Sequence, residues 1–273
     1  MSNFLYTVFL PGLNKTVHLR ELYYTKYKEL TKTIINDNND LLAAAFDRII
    51  TELCVDDITG CTFIDKLLIL LAVRSVCISP ILELTITCPV TDQTFDYVVE
   101  MTSIFSIIEN IHQNTDSKTY FNNLPVVFRL PSDLYIQRNI EALETVIVAQ
   151  NKEGLPAAVL KDAKKFIKDN IDILNDIELL TIHSPYVTDT VPMSITANIF
   201  NGSVIEFLKL IFKRDLMSIY KHEYFLIKHL NFSYDTLAQI TPAEAIIHTN
   251  LFSEEQKEKE KARSNDSISI SPP

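Results

Sequence analysis

The first candidates for chemistry are histidines near an aromatic stripe that contains Tyr220 and Tyr224. His222 and His229 are seven residues apart in a helical pattern, and Glu223 is adjacent to the first of them. Helices that bind zinc usually space two ligands four residues apart, as in H-E-x-x-H, and this spacing is absent here. We interpret the two histidines as the polar edge of the aromatic stripe, with a metal or acid–base role as the alternative.

Four cysteines form the second candidate group, within one window of 35 residues: Cys54, Cys61, Cys77 and Cys88. The window contains no C-x-x-C pair and no histidine, whereas Cys₄ zinc sites normally use two short cysteine pairs. We therefore predict free, mostly buried thiols in a reducing compartment, and neither a metal nor another cofactor. Burial disfavours the thiolate, so Cys77 on its apolar helix is expected to be inert.

The sequence does not indicate catalytic carboxylates or nucleophiles. The pairs Asp56-Asp57 and Glu254-Glu255 lie in polar contexts, and a general acid needs burial to shift its pKa. No G-x-S-x-G elbow occurs, and the four glycines stand far apart, which excludes the clustered-glycine loops that hold phosphates. We therefore predict no catalytic residue and a protein that is not an enzyme.

Two charged residues, Asp65 and Arg74, lie on the most apolar helix of the sequence. They are nine positions apart, so a helix places them about 180° from one another and they cannot pair directly. Each needs a partner on another element, in water or on another subunit. A carboxylate is favoured near a helix N-terminus, where Asp65 lies. We interpret both residues as capping and packing residues, with a role in a subunit interface as the alternative.

The charge balance bears on the class of partner. The chain has 25 Lys and Arg against 35 Asp and Glu, a net charge of -10 at pH 7. A duplex-binding protein needs a basic face, so no nucleic-acid partner is predicted. The densest basic group shares one helix face, which we interpret as solvated, with an anion-binding stripe as the alternative: Lys161, Lys164, Lys165 and Lys168.

No targeting or membrane segment is evident. The N-terminus has neither a basic region nor an apolar run of signal-peptide length, so the chain is expected to be made and to stay inside the cell. The longest continuous apolar run, Leu67–Val73, is far shorter than the ~20 residues that span a bilayer. We therefore predict no membrane span.

The elements that position these residues indicate an α+β fold dominated by helices. Alternating segments on either side of Pro11-Gly12 predict a short N-terminal β-ribbon. A helix over Thr62–Ile78 is apolar nearly all round, which is typical of the centre of a fold, and Pro80 ends it. The alternation over Leu82–Met101 then predicts a β-hairpin packed on this central helix.

Composition divides the chain into three parts. Residues 1–130 are predicted to form an α+β domain, 131–252 a mainly helical domain, and 253–273 a polar, disordered tail. The Glu- and Lys-rich start of this tail, Glu254–Arg263, is at best a polar extension of the preceding helix. In the first part we expect a surface loop over Gln113–Asn123. In the second part we expect helices over Asp133–Asn151 and Pro156–Leu174, and a helical region over Ser203–Leu230 that breaks near residue 214.

The first half of the chain also carries a resemblance to a known family, on four segments in order. These are L-P-G-x-N-K-x-V at Leu10–Val17, L-C at Leu53-Cys54, the apolar helix at Phe63–Pro80, and L-E-L-T-I-T-C-P at Leu82–Pro89. Together they resemble the baseplate hub and hub-assembly proteins of T-even-type contractile-tailed bacteriophages. The resemblance covers roughly residues 1–130, and the D-K-L-x-x-L-L-x-x-R-S helix followed by a hairpin is its most specific part.

This resemblance implies a structural or assembly protein of the phage tail baseplate hub, without enzymatic activity or catalytic residues. It implies contacts with other hub or tail proteins, with self-association as a further contact. It also implies assembly in the host cytoplasm and, for a protein that stays in the particle, a place in the tail of the virion. Similar proteins can carry a second cysteine after the hairpin cysteine, but here Cys88-Pro89 is followed by Val90 and Thr91.

Two other functions stay open at this point. One is an enzyme of unknown class whose site is assembled from distant segments, which sequence patterns do not reveal. The other is a binding factor directed at the host. A deep pocket with convergent polar groups would favour the enzyme, whereas large exposed apolar patches would favour the assembly protein.

Overall fold

A computed structural model of the chain describes most of its first 111 residues and of its last 70. The described residues are 5–88, 90–111, 117–121, 124–128, 132, 147–148, 157–163, 165–166, 181–187, 192–194 and 204–268. Within these ranges the protein is α+β and dominated by helices, which confirms the fold class predicted from the sequence. None of the helices in these ranges combines the length and the apolar content needed to cross a membrane.

A two-stranded antiparallel ribbon begins the described chain. Strand β1 (Leu5–Leu10) pairs with β2 (Lys15–Arg20), with Val8 opposite Val17. The turn between them contains Asn14 at a φ of 47°, a left-handed conformation that asparagine tolerates better than most residues. The inward side chains of both strands are buried, so the predicted N-terminal ribbon is confirmed.

Three helices follow the ribbon, and the third lies at the centre of the fold. Helices α1, α2 and α3 occupy Tyr24–Ile35, Asn39–Leu53 and Phe63–Cys77. The side chain of Asn38 caps α2 by accepting the Leu41 N–H at 3.1 Å. Eleven of the fifteen residues of α3 are buried, which explains why the sequence of this helix is apolar nearly all round.

The second predicted hairpin follows α3 directly. Strands β3 (Ile81–Thr87) and β4 (Thr94–Glu100) pair antiparallel, with Leu84 opposite Tyr97, and helix α4 (Met101–Ile111) continues from β4. The inward residues of the hairpin join the hydrophobic core that surrounds α3: Leu82, Leu84 and Val99. The predicted hairpin is thus confirmed.

Two smaller sheets occupy the middle of the described chain, and the first of them lies partly where the sequence predicted other structure. The first consists of β5 (Ser117–Phe121), β6 (Leu124–Phe128) and β7 (Ile147–Val148); the second pairs β8 (Thr181–His183) with β9 (Pro192–Ser194). The loop expected over Gln113–Asn123 is wrong at Ser117–Phe121, where β-branched and aromatic residues pair with β6. The helix expected over Asp133–Asn151 is wrong at Ile147–Val148, and its other residues lie outside the described ranges.

Further helices agree with the sequence pattern more closely. Residues 157–163 and 165–166 are helical, as expected. Helices α5, α6, α7 and α8 occupy Val204–Phe212, Leu216–Leu230, Tyr234–Leu237 and Pro242–Ile268. The predicted break near residue 214 is confirmed, and Asp215 begins α6 by accepting the Met217 and Ser218 N–H groups.

Helix α8 extends into the segment that was expected to be a disordered tail. It continues to Ile268, so residues 253–268 are helical. Alternating Glu and Lys side chains favour this continuation, and Lys259 pairs with Glu255 at 2.5 Å, one turn earlier. Residues 257–263 of this helix are exposed, in agreement with the polar composition of the segment.

The helices after residue 204 pack directly on the first half of the chain. The rings of Phe46 in α2 and Phe212 in α5 lie 5.4 Å apart. The Tyr24 hydroxyl in α1 donates to the Ile219 carbonyl in α6 at 3.0 Å. The domain division at residue 130 stays a prediction, but the described residues on its two sides share one hydrophobic core.

Candidate interaction surfaces

Asp65 lies in the first turn of α3, with no exposed surface. Its carboxylate accepts the Thr62 N–H at 2.9 Å, and the Thr62 hydroxyl accepts the Asp65 N–H at 3.2 Å, which forms a capping box. The same carboxylate accepts the Gly12 N–H at 2.9 Å. Asp65 therefore connects the turn of the N-terminal ribbon to α3, which is a structural role.

Arg74 lies near the other end of α3 and is only 7% exposed. Its Nε donates to the Ile211 carbonyl at 2.8 Å, Nη2 donates to the Ile81 carbonyl at 3.1 Å, and Nη1 donates to the Ser79 carbonyl. All three acceptors belong to this chain. Arg74 therefore joins α3 to β3 and α5, and the structure favours the packing role of this residue over the interface role.

The two candidate histidines face other helices. His222 Nε2 lies 2.9 Å from the Thr249 hydroxyl oxygen, and its ring lies 5.8 Å from the ring of Tyr24. Burial lowers the pKa of His222. His229 contacts the Phe252 ring at 6.0 Å. Within the described ranges, His, Cys, Asp and Glu side chains nowhere gather in a group of three that could hold a metal ion.

All four cysteines are free thiols, and one differs from the others. Burial raises the pKa of three of them, Cys54, Cys61 and Cys77, and the value for Cys54 is about 12. Hydrogen bonds from Ser184 and Thr91 lower the pKa of Cys88 to about 7. The sequence predicted free, mostly buried thiols and an inert Cys77, and it carried no signal for the lowered pKa of Cys88 because Ser184 is distant along the chain.

The paired carboxylates do not resemble a catalytic pair. Asp56 accepts the backbone N–H of His18 at 2.7 Å, and this bond lowers the pKa of Asp56. A general acid needs the opposite shift. Asp57 is exposed beside it, and Glu254 and Glu255 are exposed on α8.

The predicted lysine stripe is described in part. Lys161 and Lys165 are exposed in the helical residues 157–163 and 165–166, whereas Lys164 and Lys168 lie outside the described residues. Both interpretations of these lysines, a solvated face and an anion-binding stripe, therefore stay predictions.

An exposed aromatic face lies on α6. Met217, Tyr220 and Tyr224 are 59%, 42% and 59% exposed, and their spacing places them on one side of the helix. Two lysines lie over the tyrosine rings: Lys28 Nζ is 4.4 Å from the centre of the Tyr220 ring, and Lys228 Nζ is 5.1 Å from that of Tyr224. Such cation–π contacts stabilise a ring in one orientation at the surface.

The lysines give this face an excess of positive charge. Lys28 pairs with Glu223 at 2.5 Å, and both side chains are largely buried. No carboxylate of the described residues lies within ion-pair distance of Lys32, which is near the Tyr220 ring, or of Lys228. We call this surface the tyrosine–lysine face, and it consists of Lys28, Lys32, Met217, Tyr220, Tyr224 and Lys228.

The outer side of the second hairpin carries the opposite charge. Residues 75–117 contain six Asp and Glu but no Lys or Arg. The outward residues of β3 and β4 include two apolar side chains, Ile81 and Val98, which are 43% and 56% exposed. We call this surface the acidic hairpin face, and it consists of Ile81, Glu83, Asp96, Val98 and Glu100, all of them exposed.

Comparison with known proteins decides the family. A family model described as T4 bacteriophage base plate protein matches residues 1–202 of the 273. The chain belongs to this family. It is a structural protein of the bacteriophage tail base plate, which confirms the resemblance. No curated protein and no solved structure matches the chain.

The matched region of this base plate protein includes the acidic hairpin face in full, together with the contact between Gly12 and Asp65. It ends before α5, so most of the tyrosine–lysine face lies beyond it. The sequence indicated an aromatic stripe on α6 but not which rings face outward. That depends on helices α1 and α8, which cover the opposite side of α6.

Proposed function

We propose that this base plate protein builds, or helps to build, the hub of the phage tail baseplate through contacts with other hub or tail proteins. The observation that carries the proposal is the family match over residues 1–202. The assignment to the hub is supported by Leu10–Val17 and Phe63–Pro80, which resemble segments of hub and hub-assembly proteins. The bond between Gly12 and Asp65 joins these two segments in space.

The tyrosine–lysine face supports a function based on protein contacts. Tyrosine and methionine are enriched where proteins bind one another, and tyrosine supplies a large contact area with few rotatable bonds. Lys28 is already held by Glu223 and by the Tyr220 ring, so part of the face is ordered before a partner arrives. Preorganisation of this kind reduces the entropic cost of binding.

A cleft lined by residues of β2, α1 and α2 bears on the enzyme alternative. It has a volume of about 230 Å³, and Arg20, Lys26 and Glu52 are among its lining residues. Ligand pockets usually measure about 300–1,000 Å³. Lys26 and Glu52 form an ion pair at 3.3 Å in the wall of the cleft, and burial raises the pKa of Glu21, another lining residue. The small volume of the cleft gives the enzyme alternative little support.

The proposal places the protein in the host cytoplasm during assembly, and it is tested by complementation. A phage with a stop codon early in this reading frame infects cells that carry either the intact gene or an empty vector. We expect tails with complete baseplates, seen by electron microscopy, only in cells that supply the chain. Normal tails in cells with the empty vector would contradict the proposal.

Mass spectrometry of purified virions refines the outcome. Peptides of this chain in the particles would identify a component of the finished hub. Their absence, together with a failure of baseplate assembly in the empty-vector cells, would identify an assembly factor. Peptides present in the head fraction alone would contradict the hub assignment.

A further inference from the structure

Two exposed faces of this chain have opposite charge and a matching apolar character. The tyrosine–lysine face presents three lysines around two tyrosine rings, and one of the three, Lys28, is paired with a carboxylate. The acidic hairpin face presents three carboxylates around Ile81 and Val98. A carboxylate next to a lysine and an apolar side chain next to a ring are both favourable pairs across an interface.

The negative charge of the whole chain gives the lysines of the tyrosine–lysine face a bearing on contacts between copies. At a net charge of -10, two copies repel each other unless a positive patch on one meets a negative patch on the other. Four of the six acidic residues in 75–117 belong to the hairpin, Glu83, Asp92, Asp96 and Glu100, and this stretch has no Lys or Arg. The hairpin is therefore a negative patch. The tyrosine–lysine face is the patch that suits it.

Both faces are held in shape by the fold. The acidic hairpin face is a paired β-ribbon whose buried side belongs to the core, with Glu83 directly opposite Val98. On α6, Ile219 and Leu226 are buried behind the exposed tyrosines. A contact between two such preformed surfaces needs little reorganisation of either.

We propose that copies of this protein associate with one another, the acidic hairpin face of one copy docking on the tyrosine–lysine face of the next. This inference rests on the proposed function, since it names a second copy of the chain as one of the protein partners. The occupant is a second copy because the complementary surface is present on this chain itself. The contact joins two different faces, so it is heterologous, and repetition closes a ring or extends an open array.

The test is sedimentation of the purified full chain at two ionic strengths. We expect association at about 50 mM salt and dissociation at about 500 mM, because surface ion pairs are screened as salt rises. Two double variants reverse the charge of one face each: Glu83→Lys with Glu100→Lys, and Lys32→Glu with Lys228→Glu. Each is expected to weaken self-association by about tenfold or more, which corresponds to about 1.4 kcal/mol.

Mixing these two variants is the decisive step. The acidic hairpin face of the first variant is now positive, and it complements the tyrosine–lysine face of the second variant, which is now negative. We expect the mixture to associate where each variant alone does not. Matched controls make the same charge changes on the exposed part of α8: Glu254→Lys with Glu258→Lys, and Lys257→Glu with Lys259→Glu. They are expected to associate like the native chain. Melting temperatures show that the variants are folded.

Three results would overturn the inference. The native chain could sediment as a monomer at low salt up to about 100 µM, a concentration that saturates micromolar contacts. The face variants could associate as strongly as the native chain. The acidic hairpin face could bind only a basic surface of a different tail protein. None of these results affects the complementation test, so a failure here is distinguishable from a failure of the proposed function.

Discussion

The carboxylate of Asp65 accepts the backbone N–H of Gly12 at 2.9 Å, although the two residues are 53 positions apart. A Cβ atom on residue 12 would lie 2.2 Å from Asp65 Oδ2, far inside van der Waals contact. Glycine is therefore the residue that allows the ribbon turn to approach the N-terminus of α3. One buried carboxylate thus fixes both the start of the central helix and the position of the first hairpin.

The first prediction concerns this close approach. Gly12→Ala forces the turn away from Asp65 and weakens the hydrogen bond to its carboxylate. We expect the free energy of unfolding to fall by about 1–3 kcal/mol, the usual cost of overpacking. Urea denaturation measures the change, and Thr16→Ala, at an exposed position of β2, is the control. Equal stability of Gly12→Ala and the native chain would show that the turn can move away from Asp65 without a loss of stability.

The second prediction concerns Arg74, whose side chain donates to three carbonyls. Arg74→Ala leaves the carbonyls of Ser79, Ile81 and Ile211 without the guanidinium group that donates to them. Hydrogen bonds to a charged group contribute about 1.5–3 kcal/mol, so we expect a loss of stability of this order. Arg74→Lys should recover only part, because an ammonium group cannot reproduce the guanidinium fork. A variant that melts like the native chain but fails in baseplate assembly would restore the interface interpretation.

The contacts of Asp65 and Arg74 show what the sequence can and cannot predict. The apolar surround of α3 predicted a buried central helix, because nearly every face of that helix contacts other elements. Asp65 and Arg74 each have local partners, but Gly12 and Ile211 lie 53 and 137 residues away from them along the chain. Spacing in the sequence carries no information about these distant partners. The same limit applies to Cys88, whose pKa depends on Ser184.

The third prediction tests the packing of α3. Leu70 has no exposed surface, so Leu70→Ala removes transfer free energy and leaves a cavity. We expect the free energy of unfolding to fall by about 2–5 kcal/mol. Leu41→Ala is the matched control, since Leu41 is 58% exposed and its loss should change stability by less than about 0.5 kcal/mol. Similar values for the two variants would place α3 outside the core.

The fourth prediction is a pH dependence from His222. Burial lowers its pKa in the folded protein, so the unfolded chain, with a pKa near 6.5, binds the proton more tightly. Stability should therefore decrease as the pH falls through about 6.5, and it should be unaffected by this group above that range. His222→Gln should flatten the decrease in urea midpoints between about pH 7.5 and about pH 5.5. His248→Gln, at an exposed position, is the control, and an unchanged slope in His222→Gln would assign the effect elsewhere.

The core that joins both halves of the chain was the hardest feature to predict. Local patterns gave the helices around residue 214 correctly, because caps and periodicity are encoded within a few residues. Whether those helices pack on α1 and α2 or on each other depends on the shapes of distant surfaces. The division into domains at residue 130 stays a prediction, and the contact between Phe46 and Phe212 in one core is the part that local patterns could not reveal.

The last prediction follows from that shared core. The family match ends at residue 202, but helices α5 and α6 supply residues without which α1, α2 and α3 expose their apolar faces. A chain that ends at residue 202 loses Phe207 and Phe212, both fully buried, and also the carbonyl that Arg74 Nε contacts. We expect this fragment to lose cooperative thermal unfolding and to bind a hydrophobic dye, as partly folded states do.

A chain that ends at Ser253 removes only the polar last turns of α8 and serves as the control. Its melting temperature should stay within a few degrees of the native value, since surface changes cost less than about 0.5 kcal/mol. Calorimetry compares the two, and a sharp transition in the shorter fragment would show that residues 1–202 form a core of their own.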